Sequence, residues 1–318
     1  MEPNVFVVID VSSKSLDVAT RPTNKQLRVT NDAQGHLAIV EMLRGQAVLV
    51  VVEPTGGYEM PLAVALVEAK IPIAVVNARQ IRDFAKSRGK LAKTDKIDAQ
   101  MIAAFAEANR PEPREIPDEE TRGLEALVSR RRQLVDMRAT EMARRDLAPK
   151  IVRPSIEKVI KLLSKEIEET DRDLGARIKK NAAWRAKDDL LQSVKGVGPV
   201  LSRTLMALVP ELGTLDRKQV AALVGVAPFN NDSGTKRGRR SCWGGRAPVR
   251  SVLYMATVVA ATHNPVISAA YKSLVGRGKL VKVALVACMR KLLTMLNAMV
   301  RDGRTWTPPL LGEGAKNS

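Results

Sequence analysis

The chain has 318 residues, 45% apolar and 27% charged, which is enough for one large or two ordinary folded domains. Lys and Arg outnumber Asp and Glu by 52 to 34, and the resulting net charge of +18 favours a polyanionic partner. Residues 184–318 hold 21 basic and seven acidic side chains, so +14 of this charge lies in the last part. Nucleic-acid contact is expected there.

Counts of metal-binding and oxidisable residues exclude several classes of site. Two cysteines, Cys242 and Cys288, exclude a disulfide framework and a four-cysteine zinc site. Two histidines, His36 and His263, exclude a multi-histidine metal site. No signal peptide is apparent, and the most apolar late stretch, residues 280–300, is interrupted by basic residues as in an amphipathic helix. We therefore expect a cytoplasmic protein that does not enter a membrane.

The first part of the chain alternates β-branched runs with helical periodicity. The predicted elements are strands at 5–10, 15–20 and 26–30, a helix at 34–43, a strand at 47–52, a helix at 58–69, a strand at 72–77 and helical pattern to 109. Residues 48–52 are apolar without alternation, which is typical of a strand covered by helices on both faces. This βββαβαβα order predicts an α/β domain of the ribonuclease H type over residues 1–114.

The remainder of the chain is predicted to be helical and to divide in two. Prolines at 111, 113 and 117 mark a boundary after the first domain. Residues 115–183 have few glycines and repeat apolar positions at spacings of three and four, which predicts two long helices packed as an antiparallel hairpin of coiled-coil type. Residues 184–318 form the third predicted domain. Its Gly196-Val197-Gly198-Pro199 turn is compatible with a helix-hairpin-helix bend, in which the N–H groups at Gly196 and Gly198 approach a phosphate, or with an ordinary helix connection.

Four carboxylates in the first domain are candidate metal ligands. Asp10 ends the first predicted strand and Glu53 ends the fourth, while Asp95 and Asp98 fall three residues apart on one helix. An acid at the end of an apolar strand is costly unless it is ligated or paired. Oxygen ligands of this kind bind Mg²⁺, and two such ions can assist an in-line displacement at phosphorus.

A basic, glycine-rich segment lies at residues 230–250, with six basic residues against one acid. Its candidate nucleic-acid ligands are Lys236, Arg237, Arg239, Arg240 and Arg246. Ser241 stands beside two arginines, which could stabilise both the attacking oxygen and a pentacoordinate phosphate. The chemistry alone leaves two readings open, a nucleophilic serine and a plain DNA-binding loop.

Six segments of the chain together resemble one family. They are VIDVSSKSLDVA, VVEPTGGYE, KTDKIDAQ, GVGP, GVAPFNNDSG and GRRSCWGGR, and they occur in the family's order over nearly the whole chain. The chain resembles the insertion-sequence transposases of the DEDD type, which include pilin-gene invertases and bridge-RNA-guided recombinases. The resemblance implies a RuvC-like domain with Asp10, Glu53, Asp95 and Asp98 as metal ligands, and Ser241 as the nucleophile that forms a transient phosphoserine.

The resemblance also implies partners. They are double-stranded donor and target DNA, a structured noncoding bridge RNA that selects both by base pairing, and further copies of the chain in a tetramer built from two dimers. Two alternatives stay open. A junction-resolving nuclease would use the four acids with water and would tolerate loss of Ser241, and a non-enzymatic binder would tolerate loss of Asp10.

Overall fold

The computed structural model describes residues 3, 5–23, 25–89, 95–113, 116–234, 236–238 and 240–306, without the side chains of residues 95–100 and 236. The chain divides into two compact units, Met1–Pro117 and Asp118–Ser318. The helical hairpin belongs to the second unit, because Leu124 and Leu174 at its base lie in the same hydrophobic core as the helices that follow. The division into three domains stays a prediction.

The first unit contains one five-stranded mixed sheet. Its strands are β1 (Val5–Val11), β2 (Ser15–Arg21), β3 (Gln26–Thr30), β4 (Val48–Val52) and β5 (Ile73–Val75). Their order is β3-β2-β1-β4-β5; β1, β2 and β3 are antiparallel, and β1, β4 and β5 are parallel. This is the arrangement of the ribonuclease H-like fold, so the predicted α/β fold class is confirmed.

Helices cover both faces of this sheet. They are α1 (Ala33–Leu43), α2 (Met60–Glu68), α3 (Ala78–Ser87) and α4 (Asp95–Asn109). Val7 and Ile9 of β1 share a buried core with α1 and α2, whereas Phe6 and Val8 share another with α3 and α4. Because side chains alternate along a strand, each residue of β1 is assigned to one face by its position.

The prediction of one helix between the last strand and residue 109 is wrong, because the structure has two helices there. α3 ends at Ser87, and Gly89 adopts a φ of 71°. This left-handed conformation cannot continue an α-helix. The structure therefore gives α4 its own start at Asp95.

In the described residues of the second unit, the regular elements are helices and one short hairpin. Its helices are α5 (Glu119–Leu147), α6 (Arg153–Lys180), α7 (Ala182–Gln192), α8 (Pro199–Leu208), α9 (Arg217–Val224), α10 (Ala247–His263), α11 (Pro265–Gly276) and α12 (Val281–Asp302), and its strands are β6 (Asp232–Ser233) and β7 (Lys236–Arg237). α5 and α6 form the predicted antiparallel hairpin, in which Arg131 pairs with Asp171 at 2.7 Å and Arg138 donates to Ser164 at 3.4 Å.

α12 is the one helix in the described part of the chain that could cross a membrane by length and composition, and half of its most apolar window is buried inside the protein. Leu292, Leu293 and Leu296 lie in the main core of the second unit. This placement agrees with the interpretation of the stretch as an amphipathic helix.

Candidate functional site

Asp10 and Glu53 lie at the same edge of the sheet and on the same face. β1 and β4 run parallel with Ile9 opposite Val52, so Asp10 and Glu53 occupy the next positions of this register. Neighbouring strands are about 4.8 Å apart, and Asp10 and Glu53 are both half-buried. Alternation places Asp10 with Phe6 and Val8, which is the face that α4 covers.

The direction of α4 brings its first turn to this edge. α4 packs along β1, and Glu107 near its end pairs with Arg21 at 3.3 Å. Arg21 is the strand partner of Phe6, so the end of α4 lies near the start of β1. The nine residues from Glu107 back to Asp98 span about 13 Å of helix, and the four from Phe6 to Asp10 span about 13 Å of strand. The start of α4 is thus level with Asp10.

Asp95 and Asp98 stand in this first turn, and their side chains lie outside the described residues. Among the side chains that the structure does describe, no three acidic, histidine or cysteine groups converge on a metal position. The structure thus brings together Asp10 and Glu53, and it brings the backbone that carries the other two acids to the same sheet edge. Carboxylate oxygens in this arrangement suit a hard divalent cation.

Asp17 is a third acid on this face that the sequence analysis missed. It is the antiparallel partner of Asp10, so the two carboxylates stand directly across from one another on β1 and β2. Like charges in such a pair repel, and Arg28 offsets one of them from 3.6 Å away. Two-residue periodicity in the SLDVATR strand was the signal that could have placed Asp17 on the face of Asp10.

The loop after Glu53 is fixed by a buried carboxylate. Glu59 is 7% exposed and accepts hydrogen bonds from the Thr55 backbone at 3.1 Å, the Thr55 hydroxyl at 3.0 Å and the Gly57 backbone at 2.9 Å. Burial raises the pKa of the Glu59 carboxyl, but hydrogen bonds to the ionised form outweigh it and the pKa lies below its ordinary value. Glu59 therefore acts as a positioning residue for the segment that carries Glu53.

Asn31 joins the loops that follow Asp10 and Glu53. Its side-chain amide donates to the Ser12 carbonyl at 2.8 Å and to the Tyr58 carbonyl at 3.2 Å, and its oxygen lies 2.8 Å from Nε2 of His36. Since the Asn31 oxygen can only accept, His36 donates from Nε2. Burial lowers the pKa of His36, which is only 8% exposed, so the ring is held neutral. We name these two residues the Asn31–His36 clamp.

Ser241 lies on the surface of the second unit in the segment 230–250, which we call the basic loop. Its carbonyl accepts from the Phe229 backbone at 3.0 Å in an isolated β-bridge, and its side chain is exposed. Arg240 is exposed beside it. Burial raises the pKa of the adjacent Cys242 thiol, and the charges of Arg290 and Arg250 oppose this rise. The guanidinium groups of Arg250 and Arg290 therefore lie close enough to the residue next to Ser241 to act on its charge.

Ser233 is a second exposed serine of the same loop, which the sequence analysis did not single out. It belongs to β6 and pairs with Lys236 of β7, while Asp232 pairs with the exposed Arg237. The side chain of Lys236 and all of Arg239 lie outside the described residues. Two hydroxyls of the basic loop are thus accessible in the described part of the chain.

Arg246 is committed to a structural ion pair. Its guanidinium donates to both carboxylate oxygens of Glu211 at 2.6 Å and to the Leu208 carbonyl at 2.8 Å. The backbone next to Arg246 is also closely packed: a Cβ at Gly245 would lie 2.3 Å from the backbone nitrogen of Gly225. That Arg246 binds nucleic acid stays a prediction, and this geometry favours a role in holding the end of the basic loop instead.

The glycine turn between α7 and α8 is docked on α10. A Cβ at Gly196, whose φ is 98°, would lie 2.6 Å from the Cβ of Ala260, so this glycine serves helix packing. Gly198 is exposed at the start of α8 and has open space around it. The geometry therefore leaves Gly198 available for a phosphate and gives Gly196 a structural reason of its own; contact of either with nucleic acid stays a prediction.

Comparison with known proteins gives one consistent answer. Residues 7–146 match a DEDD-type family described as Transposase, and residues 188–272 match the Transposase IS116/IS110/IS902 family. The pilin gene-inverting proteins of Moraxella lacunata and Moraxella bovis are 26% and 27% identical over 311 residues, which cover 94% of this chain and 96% of those proteins.

Two further likenesses are partial. The insertion element IS116 uncharacterized 44.8 kDa protein of Streptomyces clavuligerus is 30% identical over 205 residues, 61% of this chain and 47% of that protein. Among solved structures, T. thermophilus RuvC in complex with a Holliday junction substrate aligns with a TM-score of 0.27 and 18% identity, over 35% of this chain and 99% of that one.

Proposed function

Since the chain belongs to the IS116/IS110/IS902 family of transposases, which cleave and rejoin DNA, we propose that it does so through a transient phosphoserine with a divalent metal held by the first unit. The placement of Asp10 and Glu53 side by side, on the face and at the edge that the start of α4 reaches, is the observation that carries the metal half of the proposal.

In this proposal Asp10, Glu53, Asp95 and Asp98 would hold Mg²⁺, which would supply positive charge to the phosphate oxygens. Asp10 and Glu53 project from rigid strands, which keeps their oxygens in place without reorganisation. Glu59 and the Asn31–His36 clamp hold the two loops that follow these acids. The oxygen-only donor set fits Mg²⁺ better than Zn²⁺, which prefers nitrogen and sulfur.

The covalent step belongs to the basic loop. The Ser241 oxygen loses its proton and forms a bond to phosphorus while the bond from phosphorus to the leaving deoxyribose oxygen breaks, and that oxygen is protonated to a hydroxyl. Attack by a deoxyribose hydroxyl of the other DNA reverses these changes and releases the serine. Arg237 and Arg240, both exposed, would neutralise the phosphate.

The test is a denaturant-stable protein–DNA adduct formed with donor DNA, target DNA, the RNA encoded beside the gene and Mg²⁺. We expect the adduct in the wild type and in a Cys242→Ala control, and none in Ser241→Ala or Asp10→Asn. Ser233→Ala is the matched variant, and it should retain the adduct. Cleaved ends without an adduct, undiminished in Ser241→Ala, would leave the hydrolytic nuclease as the function.

RNA guidance and a tetramer of two dimers are part of the proposal through the family resemblance. One feature of the hairpin supports self-association, since Leu147 and Ile151 at its tip are each 89% exposed and Leu162 is 58% exposed. Ile151→Glu should therefore lower the sedimentation coefficient, whereas Met255→Glu on α10, with Met255 61% exposed, is the matched control. An unchanged coefficient in Ile151→Glu would contradict the hairpin as the dimer element.

A further inference from the structure

Two exposed aromatic rings flank Ser241. The ring centroids of Phe229 and Trp243 are 5.4 Å apart with a 49° tilt, and the residues are 40% and 54% exposed. Phe229 is the β-bridge partner of Ser241, and Trp243 lies two residues after Ser241 in the chain. In a chain with 3% aromatic residues, this places two of them beside the proposed nucleophile.

The pair is held on a rigid base. Trp243 precedes Gly244 and Gly245, where Arg250 donates to the Gly244 carbonyl at 2.5 Å and Gly245 packs against the backbone of Gly225. On the other side, Val226 is buried in the main core three residues before Phe229. The backbone on both sides of the pair is therefore anchored, and both aromatic residues stay partly exposed to solvent.

The surroundings of the pair define what it can bind. The basic loop carries six basic residues and one acid, so a polyanion is the matching partner. The bases of a closed duplex are stacked on each other and cannot reach an aromatic side chain, whereas an unpaired base offers a free π face. Rings beside a phosphate-binding loop suit a nucleotide whose base is unpaired and whose phosphate lies against the cations.

We propose that Phe229 and Trp243 form a stacking platform for an unpaired base of the DNA strand, next to the phosphate that the loop serine attacks. This inference rests on the proposed function of the basic loop. Stacking holds the opened strand while its phosphate stays at Ser241, and it accepts any base because every base has a π face. Sequence choice would then come from another source, such as base pairing with an RNA.

The experiment measures binding of full-length protein in EDTA, where metal-assisted cleavage cannot proceed, to duplexes with one unpaired 2-aminopurine or one abasic site in its place. We expect the wild type to quench the 2-aminopurine and to prefer the base by about 5-fold to 100-fold. Trp243→Phe, which keeps an aromatic face, should retain most of this preference. Trp243→Leu, which fills space without an aromatic face, should lose it.

Arg237→Ala is the control for charge, and it should weaken binding of both duplexes equally while leaving the base preference unchanged. Melting curves by circular dichroism identify any variant that fails to fold. If Trp243→Leu fails to fold, the test rests on Trp243→Phe, which should retain most of the base preference. A full preference in Trp243→Leu, or none in the wild type, would overturn the platform.

Two other results are distinguishable from these. If Trp243→Leu changes the sedimentation coefficient and keeps the base preference, the pair is a contact between copies of the chain and the proposal is overturned. If the base preference holds but the wild type forms no covalent adduct with Mg²⁺, the platform stands as a DNA-binding site and the phosphoserine mechanism alone has failed.

Discussion

Replacing Asn31 by alanine removes the connection between the two acid-bearing loops. The substitution deletes the donors to the carbonyls of Ser12 and Tyr58 and the acceptor of His36. Water can replace the amide at the two exposed carbonyls, so each of those bonds contributes about 0.5 kcal/mol, while the N–H of the buried His36 loses the Asn31 acceptor at about 1 to 2 kcal/mol. We expect Asn31→Ala to destabilise the first unit by about 2 to 3 kcal/mol.

Hydrogen–deuterium exchange resolves this loss by region. The three tryptophans, Trp184, Trp243 and Trp306, all belong to the second unit, so their fluorescence should not change in Asn31→Ala. Amides of β1 and β4 should lose about 30-fold to 150-fold of their protection, which corresponds to the expected free energy. Metal-dependent DNA cleavage should fall further than the folded fraction does, because the loops lose their mutual spacing.

Gln46→Ala is the matched control. Gln46 also donates one amide hydrogen bond to a carbonyl, that of Met42 at 2.7 Å, but it precedes β4 and lies at the opposite edge of the sheet. It should cost less than 1 kcal/mol and leave cleavage unchanged. Equal protection in Asn31→Ala and wild type, or equal losses in Asn31→Ala and Gln46→Ala, would refute the clamp.

Three further predictions follow from individual side chains. Glu59→Gln should destabilise the first unit by about 2 kcal/mol at pH 7, and because the pKa of Glu59 is lowered, the difference from wild type should shrink as the pH falls below 4.5 in urea unfolding. Because the pKa of His36 is lowered, its neutral form stabilises the fold fully above pH 6.5 and less as the pH falls below that value. His36→Gln should therefore reduce the pH dependence of the free energy of unfolding below pH 6.5. An unchanged pH dependence would contradict a neutral buried ring. Arg246→Ala should destabilise the second unit by about 3 kcal/mol without changing the salt dependence of DNA binding. Arg237→Ala should leave stability unchanged and reduce the slope of binding against salt concentration by about one. The reverse pattern would show that Arg246 contacts DNA.

The sequence predicted the five strands of the first unit to within two residues, because β1 and β4 are continuous apolar runs and β2 alternates apolar with polar residues. It also placed Asp10 and Glu53 at one edge, since both follow such runs and parallel strands end at the same edge. The break between α3 and α4 was missed because a single glycine within a helical pattern does not reveal its φ. The hairpin of β6 and β7 was missed because two-residue strands have no periodicity.

The residue roles that the sequence did not predict depend on contacts between residues that are distant in the chain. Local composition put Arg246 in the basic loop with its neighbours, but Glu211, which binds it, lies 35 residues earlier on another element. The Asn31–His36 clamp and the stacking of Phe229 on Trp243 likewise depend on partners that become neighbours only in the folded chain. Residue type and charge indicated the chemistry of each region, and the fold decided which side chains were free to perform it.

The attachment site of the DNA tests the central claim most directly. After nuclease treatment of the denaturant-stable adduct, trypsin cleavage at Lys218, Lys236, Arg240 and Arg246 separates Ser233, on residues 219–236, from Ser241, on residues 241–246. We expect the mass of the nucleotide remnant on residues 241–246. A remnant on residues 219–236 would transfer the nucleophile to Ser233, and a wild-type protein that cleaves DNA without any remnant would contradict the covalent mechanism.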